Sequence, residues 1–214
     1  MSRFTVLHVC VGNICRSPMA ERLFSRALRE HLGERVDELY ISHGAGTGAW
    51  HEGEPMNPPA ARELRLRGAD ADGFTARKVS RAMIDVSDLV LCATSEQVDY
   101  VLSLRPEAQP RTFVLGEFGR LLPKVDLGTL PPVAYSVDGV RDRGIALVHA
   151  VDRLRGGGAI WGSSGLVRRP SRRGDDLADP WGMTDREFAN VADEIERTVV
   201  PLAAALTGAA VGRR

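Results

Sequence analysis

Hydrophobic and polar positions along the chain follow two alternating periods. Residues 4–9, Phe-Thr-Val-Leu-His-Val, form an apolar, β-branched run suited to a buried strand, and it ends at Cys10, where Gly12 and Asn13 open a turn. The period then becomes helical. Ala20, Leu23, Phe24, Ala27 and Leu28 share one face and Glu21, Arg22, Arg26 and Arg29 the other, with Ser17 as N-cap, Pro18 at the first helical position and Gly33 as the stop. A second strand is expected over 38–42, running into a Gly-rich loop from Gly44 through Gly53 that holds Trp50. Asn57, Pro58 and Gly68 bound a short helix, 88–93 reads as a third strand, and Thr94 with Gln97 predicts a capping box for a helix through Leu104. A fourth short strand is expected over 111–115. The last helix opens at Thr184 and Glu187, carries Phe188, Val191, Ile195 and Val199 at helical spacing, and is expected to kink or break at Pro201.

Strands alternating with helices predict an α/β fold, a parallel sheet with helices on both faces, in which ligands gather at the carboxyl ends of the strands. Cys10 lies at such an end. A chain of 214 residues is long enough for one substantial core and short for two. From about residue 119 to 176 the periodicity weakens into Pro- and Gly-containing stretches around one helix-like run, which predicts an insertion into a single domain covering 1–214.

Charge excludes more than it suggests. Lys+Arg and Asp+Glu each total 28, so a formal net charge of zero gives no global attraction to nucleic acid or to an anionic membrane. No apolar window approaches the roughly 20 residues that span a bilayer. An odd number of cysteines (Cys10, Cys15 and Cys92) behind an N-terminus without a signal-peptide pattern suggests a cytoplasmic protein with reduced thiols.

The chemistry concentrates at Cys10 to Ser17. A strand, a tight Gly-Asn turn and a helix N-terminus in succession turn backbone amides into one concavity, a nest for an oxyanion. The same field favours a thiolate on Cys10, and Arg16 adds a planar fork for two anion oxygens. Ser17 is positioned to donate to the sulfur. The plain alternative for Cys10 is a small hydrophobe at a strand end. A thiolate that displaces an alkoxide or phenolate needs a general acid, and Asp179, followed by Pro180 and Trp181, is the candidate; alone it would read as an ordinary Asp-Pro turn.

The run Cys10-Val11-Gly12-Asn13-Ile14-Cys15-Arg16-Ser17-Pro18-Met19-Ala20-Glu21 resembles the signature of the low-molecular-weight protein tyrosine phosphatases, and Asp179-Pro180 resembles their late acid motif. Ala45 to Trp50 is similar to their substrate-side loop. The resemblance implies a four-stranded parallel sheet with the phosphate loop after the first strand, and hydrolysis of phosphotyrosine through a cysteinyl-phosphate on Cys10, without metal or cofactor. It implies Cys10, Arg16 and Asp179 as catalytic residues, Val11 to Ser17 as the phosphate site with Asn13 holding its shape, and Trp50 and Trp181 as walls around the substrate ring. Ile14 resembles the tyrosine-directed members, where phosphoarginine-directed ones carry Thr. A reversible Cys10–Cys15 disulfide is a further implication. The expected partner is a phosphotyrosine-containing protein, met by a monomer; Cys92 is expected to be inert packing.

Three positions depart from the family pattern. Gly44 stands for a usual Ser, Phe74 for a His and Thr94 for an Asp, and these changes are expected to thin the support around Asn13 and moderate the activity. The basic run at 168–173 reads as a solvated loop or as a docking strip for acidic phosphopeptides. Two other functions compete: an arsenate reductase served by an external small thiol, since Cys92 alone gives no relay pair, and a non-enzymatic phosphate-binding adaptor.

Overall fold

The computed structural model describes residues 2–155, 160–162, 165–167 and 174–209, so the basic run at 168–173 lies outside the described residues. Strands β1 (Phe4–Cys10), β2 (Tyr40–Gly46), β3 (Leu89–Cys92) and β4 (Thr112–Val114) form one parallel sheet in the order β2-β1-β3-β4. All seven residues of β1 are buried, as a strand covered on both faces requires. Period-two alternation sends Phe4, Val6 and Cys10 into one core cluster and Leu7 and Val9 into the other. The first cluster is covered by α1 (Arg16–Leu32), α6 (Leu115–Leu121), α7 (Val137–Leu154) and α8 (Asp185–Thr207), the second by α4 (Arg81–Asp85) and α5 (Ser95–Leu104). Cys92 belongs to the second cluster and is fully buried. One-turn α2 (Val36–Leu39) leads into β2, and α3 (Pro58–Leu66) packs on α1 and α8. Cys10, Gly46, Cys92 and Val114 end their strands at the same edge of the sheet, facing the first turns of α1, α5 and α6.

Four differences from the expected elements matter. Strand β2 extends through Gly44, Ala45 and Gly46, residues that look like loop, because each pairs with β1 (Val9 with Ala45, Cys10 with Gly46) and tertiary pairing overrides a weak strand propensity. Helix α1 begins at Arg16, so Ser17 lies inside its first turn and does not cap it. Asn57 holds the N-cap position of α3 without a side-chain cap bond. Helix α8 runs through Pro201 to Thr207: a helical proline costs about 3 kcal/mol, while Leu202 and Leu206 beyond it are almost fully buried and contribute about 1.5–3 kcal/mol each. The capping box of Thr94 and Gln97 is present as expected.

In the stretch expected as an insertion, α7 sends Val140, Leu147, Val148 and Val151 into the main core, and 160–162 pairs antiparallel with 165–167. Arg155, just past α7, stacks over Phe113 at 4.0 Å and donates to the carbonyls of Thr112 and Gln109, which fastens the helix to the sheet. Among the described residues no helix is long and apolar enough to cross a membrane.

Two histidines sit on β1 and β2, His8 fully buried and His43 partly buried. Burial lowers His8 from 6.5 to about 3, helped by His43, and lowers His43 to about 4, helped by Arg77. Both rings are neutral in the native state at pH 5 and above, whereas the unfolded chain protonates them below about 6.5. Between about 6.5 and 4 the unfolded state therefore binds more protons than the native state, and stability falls as the pH is lowered, by at most about 1.4 kcal/mol per pH unit per histidine. Urea unfolding should show a lower midpoint at pH 5 than at pH 7, and the His8→Gln/His43→Gln double variant should show a smaller difference. An equal pH dependence in that variant would take the two rings out of the account.

Candidate functional site

The loop between β1 and α1 is shaped by where its carbonyls go. Thr47 N–H donates to Cys10 O (3.0 Å), Gly48 N–H to Val11 O (2.9 Å) and Asn57 N–H to Ile14 O (2.9 Å). In a planar trans peptide the amide points opposite its carbonyl, so these outward bonds turn the N–H groups of Val11, Gly12 and Cys15 inward. Asn13 N–H points at Cys10 Sγ from 3.3 Å. Asn13 is the single non-glycine residue with positive φ (55°) among the described residues, a conformation that Asn tolerates better than most. Its side chain is held at both ends: Oδ1 accepts from Arg77 N–H (2.9 Å) and Nδ2 donates to Ser17 Oγ (2.8 Å). The Ser17 hydroxyl lies 3.0 Å from Cys10 Sγ.

Arg16 opens α1 and is almost fully buried; its Nη2 donates to Asp179 Oδ2 at 2.6 Å and its Nη1 to Leu177 O at 3.3 Å. The sequence separation of 163 between Arg16 and Asp179 is bridged because 174–181 is anchored along its length. Arg120 grips Asp175 with two bonds (3.0 and 2.8 Å), Asp176 accepts from Ser95 N–H and Oγ at the start of α5, and Leu177 N–H donates to Ala93 O. Trp181 N–H closes the turn onto Asp179 Oδ1 at 3.2 Å, leaving the carboxylate half-exposed and directed at Arg16.

One cleft of about 350 Å³ is lined by Cys10, Val11, Gly12, Ile14, Cys15, Arg16 and Asp179 together with Trp50 and Trp181. The tryptophans are 68% and 62% exposed, which rules out simple core packing for either. Cys15 behaves unlike a nucleophile: burial, then the neighbouring Cys10 and Asp179, push its thiol up to about 12 against the pull of Arg16. A larger cavity of about 610 Å³ runs along α1 and β2, but its arginines are engaged, Arg22 with Asp70, Arg26 with Glu196 and Arg29 with Asp37, and it holds no cysteine.

All the sequence-predicted site residues meet at this cleft; Asn13 and Ser17, both buried, lie beneath it. Sequence reasoning missed His51, which also lines the cleft, with Nδ1 2.6 Å from Glu54 Oε2. The adjacency of His51 to Trp50 was its only signal. Position 44 borders the Asn13 side chain. A Cβ built there would stand 2.9 Å from Asn13 Nδ2 and 3.0 Å from Glu21 Oε2, so the absence of a side chain makes room for the buried Glu21 carboxyl beside Asn13. Burial raises the Glu21 pKa, while Arg22, Arg77 and the Gly44 amide oppose the rise. Asn13 is braced by Arg77 and Ser17, with no side chain from position 44 beside them, and Thr94 is occupied in capping α5.

A family model described as low molecular weight phosphotyrosine protein phosphatase matches residues 5–142. The chain is 38% identical over 100 residues to the low molecular weight protein-tyrosine-phosphatase YfkJ of Bacillus subtilis, a match covering 47% of this chain and 62% of that one. It is 32% identical over 116 residues to PtpA of Staphylococcus aureus, covering 54% and 71%. In fold it is similar to the tyrosine phosphatase Wzb of Escherichia coli K30 in complex with sulphate (TM-score 0.58, 21% identity, 94% of this chain and 97% of that). It is similar also to the YwlE arginine phosphatase of Geobacillus stearothermophilus (TM-score 0.61, 23% identity, 96% and 94%). With more than half of its length inside the family model, the chain belongs to the low molecular weight phosphotyrosine protein phosphatase family.

Proposed function

We propose that the protein is a protein tyrosine phosphatase that works through a cysteinyl-phosphate on Cys10. The observation that carries this reading is the convergence of Cys10 Sγ, the Arg16 guanidinium and the Asp179 carboxyl on one cleft, with Asp179 2.6 Å from Arg16 although it lies far outside the stretch matched by the family model. The phosphoryl group sits among the inward amides, and Arg16 turns from Asp179 to two of its oxygens. Cys10 Sγ bonds to phosphorus as the ester P–O bond breaks, and Asp179 gives its proton to the departing tyrosine oxygen. Asp179, now a carboxylate, takes a proton from the water that attacks phosphorus. The S–P bond breaks and the thiolate returns to the Ser17 hydroxyl and the Asn13 amide. Trp50 and Trp181 flank the aromatic ring of the substrate, a phosphotyrosine in a partner protein, and Ile14 in the cleft wall favours that ring over a phosphoguanidinium. We infer a monomeric enzyme of the cytoplasm.

Cys92 is buried in the sheet core, which removes it as a relay thiol and leaves the arsenate reductase alternative dependent on an external small thiol. Turnover of p-nitrophenyl phosphate by wild type, Cys10→Ser and Asp179→Asn, beside arsenate reduction with small thiols, separates the readings. Cys10→Ser should abolish ester hydrolysis. Asp179→Asn should lower kcat by roughly 100-fold or more on esters with a poor leaving group, the usual contribution of a general acid. Arsenate reduction without ester hydrolysis would reverse the choice, and neither activity would leave an adaptor.

The brace on Asn13 adds a second expectation. A methyl group in Gly44→Ala must displace Asn13 Nδ2 or the Glu21 carboxyl by a few tenths of an ångström. Since about 1 Å of misplacement can remove roughly 100-fold, kcat/KM should fall several-fold while the melting temperature changes little. Full activity in Gly44→Ala would show that the crowding is relieved elsewhere.

A reversible redox switch is also proposed, since Cys10 and Cys15 line the same cleft. Peroxide oxidises the Cys10 thiolate to a sulfenic acid, and the Cys15 thiol condenses with it, releasing water and forming the disulfide. Mass spectrometry of peroxide-treated protein should find the Cys10–Cys15 bridge, and added thiol should restore activity; irreversible inactivation with no bridge would sink the idea.

A further inference from the structure

We propose that Arg120 and Asp175 are positioning residues for the acid step: their part-buried pair sets where Asp179 stands, and its integrity decides how well the enzyme expels a leaving group that needs a proton. The inference rests on the phosphatase reading and extends it to residues outside the cleft.

The geometry concentrates on one short span of chain. Asp175 is 5% exposed, and its two oxygens meet Nε and Nη2 of Arg120 on α6 at 3.0 and 2.8 Å, the paired arrangement in which a planar guanidinium fixes orientation as well as distance. Four residues on, Asp179 is half-exposed, and its bonds are to Arg16 and to the Trp181 amide. Of these, the Arg16 bond is surrendered when Arg16 turns to a phosphoryl group. The acid then keeps its position through the Trp181 amide and the backbone of 174–181, which is held by Arg120 on Asp175, by Ser95 on Asp176 and by Leu177 N–H on Ala93 O.

Gly116, one turn before Arg120 on α6, supplies an independent sign that this approach is built in. A Cβ on Gly116 would run into the carbonyl of Asp175, so the span lies against the helix backbone itself. Helix α6 thus meets Asp175 twice, through a guanidinium on its side chain and through a bare glycine under its backbone. A cavity of about 320 Å³ between α6 and α8 is lined by Arg120, Asp175 and Leu177, which leaves room for the span to shift if the pair is broken.

Leaving-group dependence separates this role from general damage. p-Nitrophenolate departs readily without a proton, whereas phenolate and the tyrosine oxygen do not. In the full-length protein, Arg120→Met should lower kcat/KM on phenyl phosphate by about tenfold or more and on p-nitrophenyl phosphate by less than about threefold. Gly116→Ala, which keeps the ion pair and pushes on the backbone, should give the same asymmetry and carries the test if Arg120→Met does not fold. In an Asp179→Asn background either substitution should add no further selective loss on phenyl phosphate, since the acid it positions is already gone. Equal losses on both esters, no loss on either, or an undiminished selective loss in the Asp179→Asn background would overturn the proposal. If Asp179→Asn alone produces no selective loss, the acid assignment itself fails; if it does and the α6 variants do not, only the clamp fails.

Discussion

The whole site depends on one backbone distortion, the left-handed conformation at Asn13. Without it the chain would leave β1 and enter α1 with its amides directed along the helix axis; with it, the amides on either side turn toward Cys10 Sγ. Such a conformation is unfavourable for a residue with a side chain, by roughly 1–2 kcal/mol, and it persists because the Asn13 amide group is bonded at both ends, to the Arg77 backbone and to Ser17. Arg77 belongs to the segment that pairs with Gly46, and the adjacent Thr47 and Gly48 bind the outward carbonyls of Cys10 and Val11. The loop is therefore clamped by β2 and its continuation, which explains why β2 must run through its glycines to reach Cys10.

The second constraint is distance along the chain. Cys10 and Arg16 arrive together because they flank one turn, but the Asp179 carboxyl comes from near the opposite end and must cross the carboxyl edge of the sheet to meet them. Each contact that brings it there comes from an element already fixed by the core: Ala93 at the end of β3, Ser95 at the start of α5, Arg120 on α6 and Arg16 on α1. A parallel sheet makes this economical, since strand ends and helix starts all gather on one edge.

Legibility in the sequence followed the range of the interactions. The four strands, the amphipathic α1 and the capping box at Thr94 depend on residues within a turn or two of one another, and periodicity locates them to within a few positions. The Cys10 to Ser17 run was legible because its chemistry is local and its resemblance specific. Ser17 was misread as a cap because a Ser before a Pro looks the same whether its hydroxyl faces a helix end or a sulfur; only the fold of the loop decides. At Gly44 the neighbouring carboxyl of Glu21 was not legible, because a missing side chain says nothing about what stands in its space. The pairing of Arg120 with Asp175 joins residues 55 apart and leaves no periodic trace in either segment.

The two cysteines of the loop illustrate how little of this chemistry belongs to the residue type. Cys10 and Cys15 are both buried thiols near the same guanidinium, five positions apart. Cys10 has the Asn13 N–H donating to its sulfur, which stabilises a negative charge, and the Ser17 hydroxyl 3.0 Å away. Cys15 is surrounded instead by apolar burial and by the charges of Cys10 and Asp179, which together outweigh Arg16 and hold it as a thiol to about pH 12. The two sulfurs thus stand in different surroundings within one loop, Cys10 beside an amide and a hydroxyl and Cys15 amid burial and like charge. That division is set by where the amides and the hydroxyl point, and so returns to the conformation at Asn13.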